Sequence, residues 1–167
     1  MNQKIIILFT LIIGIIVARN YFFDSDKREI KAAINNLQES LEFDKSLPPL
    51  EVIGRLNNIS KYFIPVLTTK YLEYGEEKKS QSNFNIENLK AAAVLGARTM
   101  SSITLDKSIM SIQVNNDIAR SAFDLTITGR DISNETFKEL FQMTLEFKKT
   151  DGKWLCHFIS ADRVTPD

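Results

Sequence analysis

Two adjacent residues near the end of the sequence, Cys156 and His157, have side chains capable of nucleophilic or acid–base chemistry. A thiolate beside an imidazolium is a nucleophilic pair, but neighbouring residues of a strand point to opposite faces. Cys156 is therefore interpreted as a buried structural residue. His157 could instead exchange protons with Asp124, because histidine titrates near neutral pH. Asp124 alternates with the apolar Phe123, however, and is expected to point away from the interior.

A second group of polar side chains could bind a ligand. Tyr62, Tyr71 and Tyr74 lie where a predicted helix leads into a short predicted strand, and we predict them to be ligand-binding residues. Glu139 is the carboxylate with inward parity on the third of four long strands predicted towards the end of the chain. Its place near the start of that strand predicts a solvated position, so no catalytic residue is assigned.

Composition narrows the classes of function. The 167 residues include 21 basic and 21 acidic side chains, and 44% of them are apolar, which is typical of a globular protein. A formal net charge of zero gives no general attraction to nucleic acid. One cysteine and one histidine exclude an internal disulfide and the common zinc motifs. The glycines are too scattered for a phosphate-binding loop, so neither a metal nor a cofactor is predicted.

Residues 5–18 form an uncharged apolar run, IIILFTLIIGIIVA, between Lys4 and Arg19. Extended to Phe23, a helix of this segment would be about 28 Å long, close to the hydrocarbon thickness of a bilayer. The sequence favours an uncleaved membrane anchor; a cleaved signal peptide and a buried core helix remain open. We therefore divide the chain into residues 1–23, an anchor or signal segment, and residues 24–167, an extracytoplasmic domain, periplasmic in a bacterium.

Helical periodicity appears three times in the domain. The first helix is predicted over 26–43, with Asp26 and Glu29 as a capping box. The second begins at Pro48-Pro49 and ends at Pro65. Its apolar stripe comprises Leu50, Ile53, Leu56, either Ile59 or Ser60, and Phe63.

A short strand is predicted over 66–74, followed by an exposed polar loop over 75–85. Asn85 is expected to cap a third helix over 86–100. The apolar stripe of this helix is unusually small, which would allow close approach to a neighbour. It comprises Leu89, Ala92, Ala93, Gly96, Ala97 and Met100.

Four long strands follow, predicted over 103–114, 118–128, 137–149 and 153–164 and joined by short turns, so they should pair antiparallel. The second and third alternate, which predicts an apolar inner face covered by the helices and a polar outer face. The inner residues are Ala119, Ser121, Phe123, Leu125, Ile127, Phe137, Phe141, Met143, Leu145 and Phe147. Residues assigned to a subunit or partner interface are Gln113, Asp124, Thr126, Gln142, Thr144 and His157.

Three passages, LNNISKYFIPVLTTKYLEYG, IENLKAAAVLGARTM and DGKWLCHFIS, together with the order of elements, resemble the nuclear transport factor 2-like superfamily over about residues 26–164. The resemblance implies a cone-shaped α+β fold, with three helices packed on a curved antiparallel sheet and here preceded by a hydrophobic helix. That superfamily includes ketosteroid isomerases, SnoaL-like cyclases, dehydratases and non-catalytic binding domains, so the fold does not decide the function. Its isomerases pair a carboxylate base with a tyrosine or neutral acid in the cone.

The predicted function is a membrane-tethered binding or protein-interaction domain without catalysis, with a homodimer or a protein partner on the outer face. The alternative is a small lyase or isomerase that acts on an apolar ligand in the cone.

Overall fold

A mixed sheet covered on one face by helices forms the domain. The computed structural model describes residues 25–44, 46–73 and 76–165, so the apolar run 5–18 and Tyr74 lie outside the described residues. Among the described residues, no helix is both long enough and apolar enough to cross a membrane.

The described helices are α1 (residues 25–41), α2 (Pro49–Asn57) with a 3-10 helix directly after it (Asn58–Tyr62), and α3 (Ile86–Thr99). The described strands are β1 (Phe63–Glu73), β2 (Glu76–Asn85), β3 (Met100–Lys107), β4 (Ser111–Asn115), β5 (Ile118–Asp131), β6 (Thr136–Thr150) and β7 (Lys153–Val164). They are ordered β2-β1-β7-β6-β5-β3, and β4 also pairs with β5.

The sheet departs from the predicted antiparallel sheet in one pairing. β1 lies parallel to β7, and this pairing joins the β1–β2 hairpin to the strands that follow α3. The predicted strand 103–114 is two strands, since β3 and β4 pair with different parts of β5. Between them Ser108 bonds Asp124 twice: its N–H donates to the Asp124 carbonyl and its Oγ accepts from the Asp124 N–H, both at 2.9 Å. These side-chain and backbone bonds replace the regular ladder at that point.

The expected polar loop over 75–85 is wrong, because residues 76–85 form β2, which pairs antiparallel with β1. The sequence of β2 is EEKKSQSNFN, and it lies at the edge of the sheet. Charged residues are common in edge strands, because they discourage pairing with other chains. The composition that predicted a loop is therefore equally typical of an edge strand.

The second helix is shorter than predicted. It ends at Asn57, the 3-10 helix continues to Tyr62, and Phe63 already belongs to β1. Pro65 lies inside β1 where the pairing with β7 is irregular, between Phe63 and Thr68, so its missing N–H costs no ladder bond there. Leu50 was expected in the apolar stripe of this helix, but it is 83% exposed.

The core lies between α1 and the inner face of the sheet, and it confirms the predicted alternation of β5 and β6. Ala119, Phe123, Leu145 and Phe147 are buried, whereas Arg120, Ala122, Asp124 and Gln142 are exposed. One cluster of buried residues includes Ile30, Ile34, Leu37, Ile59, Phe63, Leu67, Phe123, Leu145, Phe147 and Trp154.

Asp26 and Glu29 do not form the expected capping box; they fasten α1 to the β6–β7 hairpin. Asp26 Oδ1 accepts from Lys149 Nζ at 2.7 Å and from Trp154 Nε1 at 3.0 Å, and Glu29 Oε1 accepts from the Trp154 N–H at 3.5 Å. Burial alone would raise the pKa of the Asp26 carboxyl, but the bonds from Lys149 and Trp154 outweigh it and the pKa is lowered. The hydrogen bond to Asp26 correspondingly raises the pKa of Lys149.

The other end of α1 covers the open edge of β3. Gln38 Nε2 donates to the Leu105 carbonyl at 2.6 Å, and the Leu105 N–H donates to Glu42 Oε1 at 2.9 Å. Beyond the helix, Phe43 and Ile103 exchange two backbone hydrogen bonds. These contacts satisfy backbone groups that an edge strand would otherwise leave exposed.

The predicted N-cap of the third helix is confirmed, since Asn85 Oδ1 accepts from the Glu87 N–H at 2.9 Å. The expected close approach is not seen at Gly96, where a Cβ atom would meet nothing within 4 Å. The small residue at this position is therefore not required by packing.

Candidate functional site

The inner face of the sheet divides into two halves. One half is filled by the core, in which Phe147, Trp154 and Cys156 pack under α1. Ser121 lies fully buried in this half, and its hydroxyl has no hydrogen-bond partner in the part of the chain that the structure describes. Side chains occupy this half of the interior, so the candidate ligand-contacting residues must lie in the other half.

The other half carries an ion-pair cluster, here named the charged end: Glu73, Glu139 and Arg163. Arg163 Nη2 lies 2.8 Å from Glu139 Oε1, and Arg163 Nη1 lies 3.4 Å from Glu73 Oε1. About a third of each side chain is exposed, so the cluster is in contact with solvent. One guanidinium between two carboxylates leaves a formal charge of −1.

Strand register explains why these three residues meet. Glu73 of β1 is paired with Arg163 of β7, and Arg163 is paired with Phe141 of β6. Glu139 is two residues from Phe141 on the same face. Tyr71 is paired with Ala161, two residues before Arg163, so Tyr71 shares this region of the inner face.

Arg163 and Glu73 were missed by the sequence analysis. In β7, Cys156 is paired with Phe147 and Phe158 with Glu146, which leaves His157 as an extra residue. This bulge reverses the alternation along β7. Before it the even-numbered residues Trp154 and Cys156 face inward, and after it the odd-numbered Arg163 does. Counting alternate residues from Trp154 would place Arg163 on the outer face.

Two of the three predicted tyrosines, Tyr62 and Tyr71, lie in different elements, and Tyr74 lies outside the described residues. Tyr62 lies at the end of the 3-10 helix, with the Lys61 ammonium 5.0 Å from its ring centre. It lines a polar groove of about 550 Å³ between α1 and α2, together with Asn36, Glu39, Ser40, Glu42, Arg55, Asn58 and Lys61. Tyr71 lies eight positions along β1 from Phe63, which directly follows Tyr62. In an extended strand this is about 26 Å.

The sequence's single thiol and single imidazole do not form a catalytic pair. Cys156 is fully buried, and burial raises the pKa of its thiol to about 12, so it is not a thiolate near neutral pH. His157 Nε2 is also buried and has no hydrogen-bond partner among residues 25–44, 46–73 and 76–165. Asp124 lies on β5, separated from β7 by β6, and therefore does not reach His157.

The outer face of the sheet brings most of the predicted interface residues together. Asp124 is directly paired with Gln142, and Thr144 and Thr126 lie in neighbouring cross-strand rows. A row of small residues crosses four strands, formed by Ser111, Ala122, Thr144 and Ser160. On one side of this small row lies the row Gln113, Arg120, Glu146 and Phe158, and on the other the row Asp124, Gln142 and Asp162.

Within the described residues, no three His, Cys, Asp or Glu side chains are grouped so that they could hold a metal ion.

No protein-family model matches the chain, and no curated protein matches it in sequence. Solved structures do match its fold. A proposed dehydratase of the nuclear transport factor 2-like family from Streptomyces avermitilis has a TM-score of 0.64 and 15% identity; the match covers 86% of this chain and 99% of that one. A nuclear transport factor 2-like protein with a cystatin-like fold from Novosphingobium aromaticivorans has a TM-score of 0.64 and 13% identity, and the match covers 90% of each chain.

A third match is a proposed association domain of a calcium/calmodulin-dependent protein kinase II from Xanthomonas campestris. Its TM-score is 0.56 with 16% identity, and the match covers 84% of this chain and 89% of that one. At these identities the likeness concerns the fold alone, which is the nuclear transport factor 2-like α+β fold.

Proposed function

We propose that this chain is a membrane-tethered, extracytoplasmic interaction domain without catalytic activity, which pairs with a second copy through its outer sheet face. Residues 1–23 supply the tether. The observation that carries the proposal is the small row Ser111, Ala122, Thr144 and Ser160 between two charged rows.

Face-to-face packing of two sheets needs a surface without long side chains at its centre, and the small row provides one. In a two-fold dimer whose axis runs along this row, the strand directions reverse and the two flanking rows exchange places. Arg120 of one copy then faces Asp124 of the other. Both are exposed, and neither makes an ion pair among the described residues, so each has its charge available.

The inner face supports the absence of catalysis. Half of it is filled by the core, and the Glu139 carboxylate in the other half is bonded to Arg163. A base of the isomerase kind needs a carboxylate free to take a proton, and the guanidinium competes for the same oxygen. Cys156 and the Nε2 atom of His157 are buried, and both residues lie at least six positions along β7 from Arg163.

Charge reversal tests the dimer. We expect Arg120→Asp and Asp124→Arg to weaken self-association at least tenfold each, because each places like charges opposite one another. The double variant Arg120→Asp/Asp124→Arg should restore it, because every facing pair is again of opposite charge. The measurement is the protein mass from light scattering, with the full chain in detergent over a concentration series.

Glu39→Arg is the matched control, since Glu39 is exposed on α1, on the other side of the sheet. Its mass should equal that of the unchanged chain. A monomer at every concentration, or a double variant no better than the single ones, would contradict the proposed dimer.

The tether has its own test. A reporter enzyme that folds only outside the cytoplasm, fused after Asp26, should be active, and carbonate extraction should leave the full chain in the membrane fraction. Reporter activity confined to the cytoplasm would contradict the extracytoplasmic placement, and release by carbonate would contradict the anchor.

A second candidate function is a small lyase or isomerase. It is supported by Glu139 and Tyr71, an acid–base residue and a hydroxyl donor in one region of the inner face, and by the similar Streptomyces protein, described as a proposed dehydratase. Turnover of hydroxycarbonyl substrates that Glu139→Gln abolishes and Glu39→Gln retains would establish this function. The absence of turnover with every hydroxycarbonyl substrate tested would exclude this function.

A further inference from the structure

A groove beside residues 27–31 of α1 combines basic and apolar side chains. It has a volume of about 460 Å³ and is lined by Lys27, Arg28, Lys31, Met110 and Ile112, which we name the basic groove. Beside it, between β3 and β4, Ile109 is 98% exposed. Met110 packs partly against the core, so the short segment that carries Ile109 is held in place.

The charges on this part of α1 are segregated by side. Asp26 and Glu29 bond to Lys149 and to Trp154 of the β6–β7 hairpin. Lys27 and Lys31, four residues apart and therefore on one side of the helix, face the β3–β4 segment. Both are exposed, so the basic groove presents positive charge to solvent.

Lys27 and Lys31 are not engaged within the domain. Neither makes an ion pair among the described residues, so both charges are available to a ligand. A fully exposed isoleucine beside them has no role in packing either.

We propose that the basic groove and Ile109 form a docking surface for a membrane rich in anionic headgroups. The lysines contact lipid phosphates, and Ile109 enters the boundary between the headgroups and the acyl chains. Only eight residues, 19–26, separate the apolar run 5–18 from Lys27. Attraction to a charged surface fades within about 8 Å at physiological salt, so the groove acts only close to the bilayer.

The inference rests on the proposed tether for bringing the groove to the bilayer. Docking would then fix the orientation of the domain, with residues 27–31 of α1 at the membrane. A tether by itself leaves the domain free to rotate. A peptide or a second copy is a less suitable occupant, because neither accounts for a basic surface directly after an apolar segment.

The test uses the full chain with Ile109→Trp, incorporated into vesicles that contain brominated lipid. One set is phosphatidylcholine alone, and the other contains one-third phosphatidylglycerol. We expect the new indole to be quenched at least twofold more strongly in the anionic vesicles, with a blue shift. Trp154 is buried in the core, so the chain without this substitution supplies the background emission.

Adding Lys27→Glu/Lys31→Glu should abolish the lipid dependence. This pair of changes should not unfold α1, since both side chains are exposed and neither makes an ion pair among the described residues. Lys138→Glu is the matched control; Lys138 is exposed and eleven residues along β6 from Lys149, at the far end of the domain. It should leave the quenching unchanged.

The outcomes separate docking from tethering. Incorporation into both vesicle types with equal quenching overturns docking alone. Association with anionic vesicles only, lost in the Lys27→Glu/Lys31→Glu chain, supports docking and overturns the tether. No association with either overturns both. If Ile109→Asp lowers the mass of the chain in detergent, a second copy covers this surface and the lipid proposal is wrong.

Discussion

The two halves of the inner face are built from the same sheet, but only one of them excludes water. In one half, α1 covers Phe147, Leu145 and Trp154, and water is excluded. In the other, β1, β6 and β7 continue to the charged end, where Glu73, Glu139 and Arg163 stay in contact with solvent. A residue on the inner face is therefore buried only where a helix covers it. Beyond the helix the same position carries polar groups.

The largest expected effect comes from the filled half. Phe147→Ala removes a fully buried ring under α1 and should lower the free energy of unfolding by about 3–5 kcal/mol. Phe84→Ala is the control, because Phe84 is 42% exposed on the edge strand and should cost less than about 1 kcal/mol. Urea unfolding followed by the emission of Trp154 measures both. Equal costs would mean that the two rings are equally buried.

A glycine tests the packing of the other half. In β5, Gly129 is paired with Phe137, whose ring lies where a Cβ atom would be. Gly129→Ala should therefore cost about 1–3 kcal/mol, since the ring must move. Adding Phe137→Leu should recover part of that loss in the same urea experiment. A double variant with simply additive losses would show that the ring is not the cause.

The hairpin contact of α1 should give a smaller, pH-dependent effect. Asp26→Asn removes a charged acceptor of two hydrogen bonds and should cost about 1–2 kcal/mol at pH 7. Because the pKa of Asp26 is lowered on folding, its contribution is present above the unfolded value of 3.8 and is lost as pH falls through the folded value.

Folding shifts the pKa of Lys149 in the opposite direction to that of Asp26. The pKa of Lys149 is raised, so its contribution is present below the unfolded value of 10.5 and is lost as pH rises through the folded value. The unfolding temperatures of the unchanged chain and of the Asp26→Asn variant should therefore converge below pH 3.8 and again at high pH. A constant difference across the whole range would contradict this account.

The smallest effect is expected at the charged end. Arg163→Met should change the free energy of unfolding by less than about 1 kcal/mol, because partly exposed ion pairs contribute little. Glu139→Gln should change it by no more. A loss near that of Phe147→Ala would show that the charged end is part of the core and would remove it as a candidate site.

Alternation was sufficient to predict the inner and outer faces of β5 and β6, because the two strands pair without a bulge. Their pairing runs from Ile118 with Lys148 to Arg130 with Thr136. Helical spacing likewise predicted α1, and an asparagine side chain predicted the start of α3. Composition failed for β2, whose polar residues suit an edge strand as well as a loop. Whether a polar segment pairs depends on β1, which lies elsewhere in the sequence.

The charged end could be predicted only in part. Glu139 followed from the parity of its own strand, but its partner Arg163 lies beyond the bulge at His157, and no local pattern marks that bulge. Glu73 meets Arg163 through the parallel pairing of β1 with β7, which sequence periodicity does not reveal. Tyr62 and Tyr71 lie in different elements, Tyr62 in the 3-10 helix and Tyr71 in β1, because the predicted helix ends before Phe63.

The parallel pairing of β1 with β7 also has a consequence for how the chain folds. Glu73 and Arg163, which it brings together, are 90 positions apart in the sequence. During synthesis, β1 has only β2 as a neighbour until β7 has left the ribosome, and isolated hairpins are marginally stable. The sheet therefore cannot be completed before β7 has been synthesised, and contacts so distant in sequence favour slow folding. We expect nascent chains that stop before Lys153 to remain sensitive to protease.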